Sequence, residues 1–393
     1  MIRLFGHLFA PDDRGPSLVT IEGGRIESIE PISASASVTT DERLRGAIGG
    51  PDSLVVPGLL DIQLNGAFGT DFEDPAADMA TICRDLTRFG LTGFVPTLIT
   101  SAPDAYGPAL ENLHRRSVPG SASILGVHVE GPFLSPNYHG THNPAWLRDP
   151  DPAMALGWLD AGDVAYITLA PERPGALALI ETMVRRGVRV SIGHTDANWD
   201  QAAAAASAGA TMATHLFNAM RPLRHRDPGV IGYALASNLR TGFIADGVHL
   251  AFETIRMIGR LKFPDQAYLV TDALSGIGMP PGRYTLADVE YISDGVSCRL
   301  PDGTLSGSLL PINRALRNLV ERVGVAPATA VELATLSPAR ALGLDGSIGR
   351  IESGRAGDVT VLGPDWEVTA TIAGGQVAYL ARGAAGGVQV GTR

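Results

Sequence analysis

Ile124-Leu125-Gly126-Val127-His128-Val129-Glu130-Gly131-Pro132 is a short apolar run that ends on a carboxylate and is stopped by a Gly-Pro pair. The pattern recurs along the middle of the chain. Between Val55 and about Leu344 there are eight such runs: Val55–Asn65, Gly93–Thr97, Ile124–Glu130, Val164–Glu172, Arg189–His194, Thr211–Asn218, Gly242–His249 and Ala267–Asp272. Helical stretches follow most of them, among them Ala76–Phe89, Asp200–Ala208 and Phe252–Leu261. Apolar strands that alternate with helices predict a parallel sheet of the α/β class, and eight such units predict a closed (β/α)8 barrel of the TIM type. Apolar runs alone do not separate that barrel from an open doubly wound sheet. The strand ends have to decide, because a barrel gathers its chemistry at the C-terminal ends of its strands.

Outside the eight runs the pattern changes. Leu18 to Ile29 alternates apolar and polar residues around Gly23-Gly24, and Val368 to Tyr379 does the same around Gly374-Gly375. Both are hairpin signatures. An isolated hairpin is marginally stable in water. The simplest arrangement packs the two together as one small β domain built from residues 1–55 and 346–393, with residues 56–345 as the barrel.

The 393-residue chain carries 41 acidic and 31 basic side chains, a net charge of −10. A protein that neutralises phosphates along a nucleic acid needs a basic face, and no run of arginines supplies one, so no nucleic-acid partner is expected. Among the basic residues only Lys262 is a lysine. Its setting, Gly259-Arg260-Leu261-Lys262-Phe263-Pro264, reads as a helix end with a solvated charge. P-loop and Schiff-base chemistries, which need a lysine in a particular setting, are thereby removed. Hydrophobic residues at 45% and charged ones at 18% fit a well-filled core. No apolar run approaches the roughly 20 residues of a membrane span, and the N-terminal residues lack the apolar stretch of a signal peptide. Cys83 and Cys298 form neither a metal spacing nor a disulfide framework. The expectation is a cytoplasmic protein without a membrane partner.

The third run delivers Glu130, the fifth ends Gly193-His194-Thr195, and the sixth ends Thr214-His215-Leu216-Phe217-Asn218. Glu130, His194 and His215 make a Glu-His-His set that holds a divalent metal and leaves a position open for water. The eighth run ends Val270-Thr271-Asp272-Ala273, which puts a carboxylate where it can take a proton from that water. A lone strand-end histidine is more often a satisfied structural residue. Four such groups at the same end of successive strands argue for a site.

The motifs extend well beyond these four residues. Pro57-Gly58-Leu59-Leu60-Asp61-Ile62-Gln63-Leu64-Asn65-Gly66, His128-Val129-Glu130-Gly131-Pro132-Phe133, Gly140-Thr141-His142-Asn143-Pro144, Thr214-His215-Leu216-Phe217-Asn218-Ala219-Met220 and Ala245-Asp246-Gly247-Val248-His249 strongly resemble the N-acetylglucosamine-6-phosphate deacetylase family of the amidohydrolase superfamily. The resemblance runs from Pro57 to Ala341.

That resemblance implies a metal-dependent barrel with a small β-sandwich built from both chain ends. Glu130, His194 and His215 become the metal ligands and Asp272 the catalytic acid/base. His142 is implied to donate a hydrogen bond to the developing oxyanion. Asn218, Ala219, Arg226 and His249 are implied to bind substrate, the last two at its phosphate. The wider superfamily usually carries a His-x-His pair on its first strand for a second metal, whereas here those positions are Gln63 and Asn65. Amides are poor ligands beside imidazole, so one divalent ion per chain is expected, zinc ahead of iron or another metal. Without a strand-end lysine, a metal pair bridged by carboxylated lysine is excluded. The implied reaction is hydrolysis of N-acetyl-D-glucosamine 6-phosphate to glucosamine 6-phosphate and acetate by a homodimer. Two other readings stand beside it: deacetylation of the galactosamine epimer, and a non-catalytic sugar-phosphate sensor. Asp61 and Asp246 read as strand-end hydrogen-bond partners, and His7, His114, His128, His139 and His225 receive no catalytic role.

Overall fold

The computed structural model describes residues 1–33, 35 and 41–382. Eight parallel strands follow one another around a barrel in chain order: Leu59–Leu64, Leu91–Leu98, Val127–Glu130, Val164–Leu169, Arg189–Ile192, Met212–Ala213, Arg240–Phe243 and Ala267–Leu269. Just beyond the last strand the chain returns to the first. The Asp272 N–H donates to the Gln63 carbonyl (2.9 Å) and the Asn65 N–H to the Ala273 carbonyl (2.8 Å). Strands covered on both faces read as continuous apolar runs, and Leu91–Leu98 is buried at every position. Ile62, Val95, Tyr166, Met212, Ile244, Tyr268 and Val270 belong to one packed cluster drawn from six of the eight strand regions, which makes the barrel a filled core and not a pore.

The two terminal hairpins meet in a seven-stranded sheet. Its spatial order is Gln376–Leu380, Val368–Ala373, Val359–Leu362, Ile48–Pro57, Ile2–Phe9, Asp13–Glu22 and Arg25–Pro31. Alternate residues face opposite ways along a strand: Leu4, Leu8, Val19 and Ile21 enter one apolar cluster, while Phe5 and Leu18 enter another. The sheet is tied to the barrel through two threonines. Thr360 Oγ1 donates to the Gly90 carbonyl (2.7 Å) and Thr371 Oγ1 to the Thr87 carbonyl (2.8 Å).

Several elements differ from the sequence reading. The first apolar run is two strands, not one: Val55 and Pro57 pair with Val361 and Val359 in the terminal sheet, and the barrel begins at Leu59. Gly58 makes the handover, since a Cβ there would lie 2.0 Å from Thr92 Oγ1. The helix expected over Ala76–Phe89 is an α-helix, Met79–Asp85, continued by a 3-10 turn, Leu86–Phe89. A hairpin, Gly282–Leu286 with Val289–Ser293, joined by Cys298–Arg299, follows the eighth barrel strand and was not anticipated.

Lys262 corrects a second expectation. It does end the helix Phe252–Lys262, but it is 2% exposed rather than solvated. Its Nζ donates to the carbonyls of Ser237 (2.6 Å) and Leu239 (2.9 Å) and to Gln266 Oε1 (3.2 Å). The only lysine therefore satisfies carbonyls left over at the end of the preceding helix, Gly229–Ala236, a task the sequence around it does not reveal. Cys83 and Cys298 are buried and unpaired. Among the described residues no helix is long and apolar enough to cross a membrane.

Candidate active site

Glu130 ends the third barrel strand, and His194, His215 and Asp272 each lie two or three residues past the ends of the fifth, sixth and eighth. All three of these last residues have positive φ, at 48°, 25° and 51°. Non-glycine residues seldom adopt that conformation, and where they do the surrounding structure has to enforce it. The turn at each strand end thereby swings a side chain back over the barrel mouth.

Three donor atoms converge there. Glu130 Oε1 lies 3.2 Å from His215 Nε2 and 3.4 Å from His194 Nε2, and the two imidazole nitrogens are 3.1 Å apart. Donors held tetrahedrally about 2.05 Å from an ion are separated by about 3.3 Å, so the spacing already matches a metal. The tautomer of His194 agrees. Its Nδ1 lies 3.0 Å from the Tyr138 carbonyl, which can only accept, so the proton sits on Nδ1 and Nε2 keeps its lone pair for an ion. Among the described residues this is the one cluster whose ligand atoms come close enough to share a metal.

The surrounding carboxylates are pushed in opposite directions. Burial would raise the Glu130 carboxyl, but the two imidazoles of His194 and His215 beside it hold it well below its ordinary range. Asp272 is raised, chiefly by burial and by the nearby Glu130 charge, against opposing contributions from His215 and a hydrogen bond from Asn65. Carboxylates whose environments drive them apart divide into a permanently ionised ligand and a proton acceptor. Gln63 and Asn65 contribute as donors: Asn65 Nδ2 reaches Asp272 Oδ1 at 2.8 Å, and Gln63 Nε2 lies 3.3 Å from both Asp272 Oδ1 and Glu130 Oε1.

Asn65, Glu130, His194, His215 and Asp272 line a cavity of about 360 Å³ together with His142, Asn218, Ala219 and His249. His142 is buried, and burial lowers it well below the ordinary imidazole range, so the ring is neutral. His249 is held at both ring nitrogens, 2.6 Å from Asp246 Oδ2 and 2.9 Å from the Ser306 carbonyl. Arg226 is exposed on the loop that follows the sixth strand and is not among the cavity-lining residues. His128 is a core residue, pushed down to about 3 by burial, bonded to Thr97 and Thr168 and stacked on Tyr166. Asp61 is buried and raised to about 7, and accepts from the Thr271 side chain and backbone.

Two supporting residues escaped the sequence reading. Glu172, at the end of the fourth strand region, accepts from Thr195 Oγ1 (2.5 Å) and the Asp196 N–H (2.7 Å) and so fixes the turn after His194. Glu73 does the same for the loop after the second strand. Nothing in their local sequence distinguishes them, since Glu73 stands in Asp71-Phe72-Glu73-Asp74, which reads as a solvated acidic turn.

An eight-stranded parallel barrel with a Glu-His-His cluster and a raised aspartate at its mouth defines a metal-dependent hydrolase of the amidohydrolase type. The chain belongs to the amidohydrolase family, whose pattern matches residues 54–378. It is 37% identical to N-acetylglucosamine-6-phosphate deacetylase of Rattus norvegicus, over 92% of this chain and 91% of that one. It is 34% identical to N-acetylgalactosamine-6-phosphate deacetylase of Escherichia coli O157:H7, over 87% of this chain and 89% of the relative. The solved structure of a variant N-acetyl-D-glucosamine-6-phosphate deacetylase from Mycobacterium smegmatis, in complex with N-acetyl-D-glucosamine-6-phosphate, superposes with a TM-score of 0.87 at 32% identity, covering 96% of this chain and 99% of that one.

Proposed function

We propose that the protein hydrolyses the acetamide of N-acetyl-D-glucosamine 6-phosphate, releasing acetate and D-glucosamine 6-phosphate in amino-sugar catabolism. The observation that carries this reading is the convergence of Glu130 Oε1, His194 Nε2 and His215 Nε2 within 3.1 to 3.4 Å of one another, with Asp272 lining the same cavity. A divalent ion bound by the three ligands would lower the pKa of a water and polarise the acetyl carbonyl. Asp272 accepts the proton of the attacking water and later passes it to the departing amine. His142 donates from Nε2 to the carbonyl oxygen as negative charge develops there, an interaction worth about 3 kcal/mol in well-oriented sites. Gln63 and Asn65 hold the carboxylates in place, which supports a single ion per chain. Zinc is the proposed metal, because two imidazoles and a carboxylate suit it.

Asn218, Ala219 and His249 are proposed to bind the sugar phosphate from the cavity wall. The lining contains no arginine or lysine, so Arg226 reaches a phosphate bound there only through loop movement or from a neighbouring copy. A homodimer is the proposed assembly, and it allows the second route. Two buried free cysteines favour a reducing compartment such as the cytoplasm. The proposed domains are residues 1–55 with 346–393 and residues 56–345, with the first boundary carried on to Pro57 by the terminal-sheet strand Ile48–Pro57; residues 34, 36–40 and 383–393 lie outside the described residues.

The relatives favour the gluco substrate, since the galactosamine-6-phosphate enzyme is one among many glucosamine-6-phosphate relatives. The test is acetate release from N-acetylglucosamine 6-phosphate, its galactosamine epimer and unphosphorylated N-acetylglucosamine. The expected order puts the gluco phosphate first, with loss of the phosphate costing at least about 100-fold in kcat/KM. Equal rates with and without phosphate would overturn the substrate assignment.

A further inference from the structure

His142 must present an N–H to do what the proposed reaction asks of it, and a neutral imidazole carries only one. Its Nδ1 lies 3.2 Å from the backbone nitrogen of Thr100 and 2.8 Å from Thr100 Oγ1. A backbone N–H only donates, so Nδ1 is the acceptor and the ring proton sits on Nε2. That nitrogen is the one turned toward the metal cluster, 3.8 Å from Glu130 Oε2. With the opposite tautomer His142 would offer the substrate carbonyl a lone pair, which repels it.

Thr100 is itself held from both sides. Glu73 Oε1 accepts the Ile99 N–H (2.8 Å) and Glu73 Oε2 accepts the hydroxyl of Ser101, so a single carboxylate grips the residues before and after Thr100. The Tyr106 hydroxyl adds a second clasp, accepting the Ser101 N–H (3.1 Å) and donating to the Ile99 carbonyl (3.0 Å). Gly131 leaves room on the remaining side, since a Cβ there would lie 2.2 Å from Thr100 Oγ1. Three consecutive residues after the second barrel strand are thus fixed by contacts that serve no other part of the site.

We propose that Thr100, clamped by Glu73, is a positioning residue that locks His142 in the Nε2–H tautomer and aims that proton at the substrate carbonyl. The catalytic consequence rests on the deacetylase reading, whereas the tautomer itself does not. The experiment therefore has two arms, both on the full-length, metal-loaded protein. In the first, Thr100→Val removes the hydroxyl at nearly constant shape and lowers kcat by roughly 10-fold to 100-fold, part of what losing a whole oxyanion donor costs. KM stays within about twofold, because the lost interaction matters in the transition state. Thr100→Ser, which keeps the hydroxyl, recovers most of the lost kcat, and Glu73→Ala, which removes both acceptors that hold the loop, shows the same kcat-only loss.

In the second arm, long-range nitrogen–proton spectra of protein labelled with nitrogen-15 histidine report which ring nitrogen is protonated, with the His142 signals assigned by their absence in His142→Gln. The wild type is expected to show Nε2–H, Thr100→Val to keep it through the remaining backbone N–H, and Glu73→Ala, which frees that N–H to move, to show a mixture of tautomers. A wild-type spectrum with the proton on Nδ1 overturns the proposal, as does a Glu73→Ala enzyme with unchanged kcat and spectrum. Loss of kcat in the serine variant equal to that in the valine variant also overturns it, since bulk and not the hydroxyl would then matter. If the wild type releases no acetate yet shows Nε2–H, redistributed by Glu73→Ala, the deacetylase reading fails and the tautomer lock stands.

Discussion

Replacing Asn65 with alanine should move the acid limb of the reaction upward in pH. As the proposed base, Asp272 has to be ionised to accept a proton, so kcat/KM is expected to fall below its pKa. The Asn65 amide donates to Asp272 Oδ1 at 2.8 Å, and a donor to a carboxylate favours the ionised form and holds the pKa down. A hydrogen bond to a charged group contributes about 1.5–3 kcal/mol, and one pKa unit corresponds to about 1.4 kcal/mol. Removing this donor raises the Asp272 pKa by about one to two units. Gln63 Nε2, at 3.3 Å, remains as a weaker donor and places the effect near the lower figure. The assay is acetate release under kcat/KM conditions between about pH 5 and about pH 9.5, with metal content checked by elemental analysis in both proteins. The two profiles should converge at high pH, where Asp272 is ionised either way, and separate by about tenfold on the acid side. An acid limb that stays in place, or moves down, at equal metal content refutes the assignment of Asp272 as the base held by Asn65.

Other perturbations follow from the same contacts. Elemental analysis of the wild type should give one tightly bound divalent ion per chain, and His194→Ala should lose it, since two remaining ligands make a poor site; two ions per wild-type chain would contradict the reading of Gln63 and Asn65. Lys262→Met strips the Ser237 and Leu239 carbonyls of their donor and should destabilise the fold by about 2–3 kcal/mol while leaving kcat per folded molecule unchanged. Burial lowers the Lys262 ammonium to about 8 from an ordinary value near 10.5. Its folded pKa is therefore depressed, so the wild type gains stability from this group as pH rises from about 8 towards 10.5, and its advantage over Lys262→Met in chemical denaturation should widen over that window. An advantage that shrinks there would show that the ammonium is not penalised by its burial.

Much of the barrel was legible because its strands are buried on both faces and have to be apolar. All eight runs overlap an observed barrel strand, and Glu130, His194, His215 and Asp272 were readable because each interrupts an apolar run at the same relative place. What escaped depends on contacts between distant parts of the chain. Gly58 divides the first run because Thr92 packs against it, not because of any neighbour in sequence. The hairpin after the eighth strand turns at Ala287 with φ 51°, where a glycine or asparagine would have signalled the turn. Lys262 looks solvated until the carbonyls of Ser237 and Leu239 are brought to it. The Arg226 motif is plain in the sequence, yet no motif says whether its loop turns into the cavity, and within this chain it does not. Glu73 and Thr100 carry no local mark at all, since their importance comes from gripping one loop and one ring nitrogen.

The central claim is that Glu130, His194 and His215 hold an ion beside a base, Asp272, to cleave an acetamide. The most direct measurement is acetate release from N-acetyl-D-glucosamine 6-phosphate by zinc-loaded wild type and by Asp272→Asn at matched metal content. The wild type is expected to release one acetate for each glucosamine 6-phosphate formed, and Asp272→Asn to fall by about 100-fold to 10,000-fold in kcat. A wild type that releases no acetate, or an Asp272→Asn enzyme as fast as the wild type, would contradict the account.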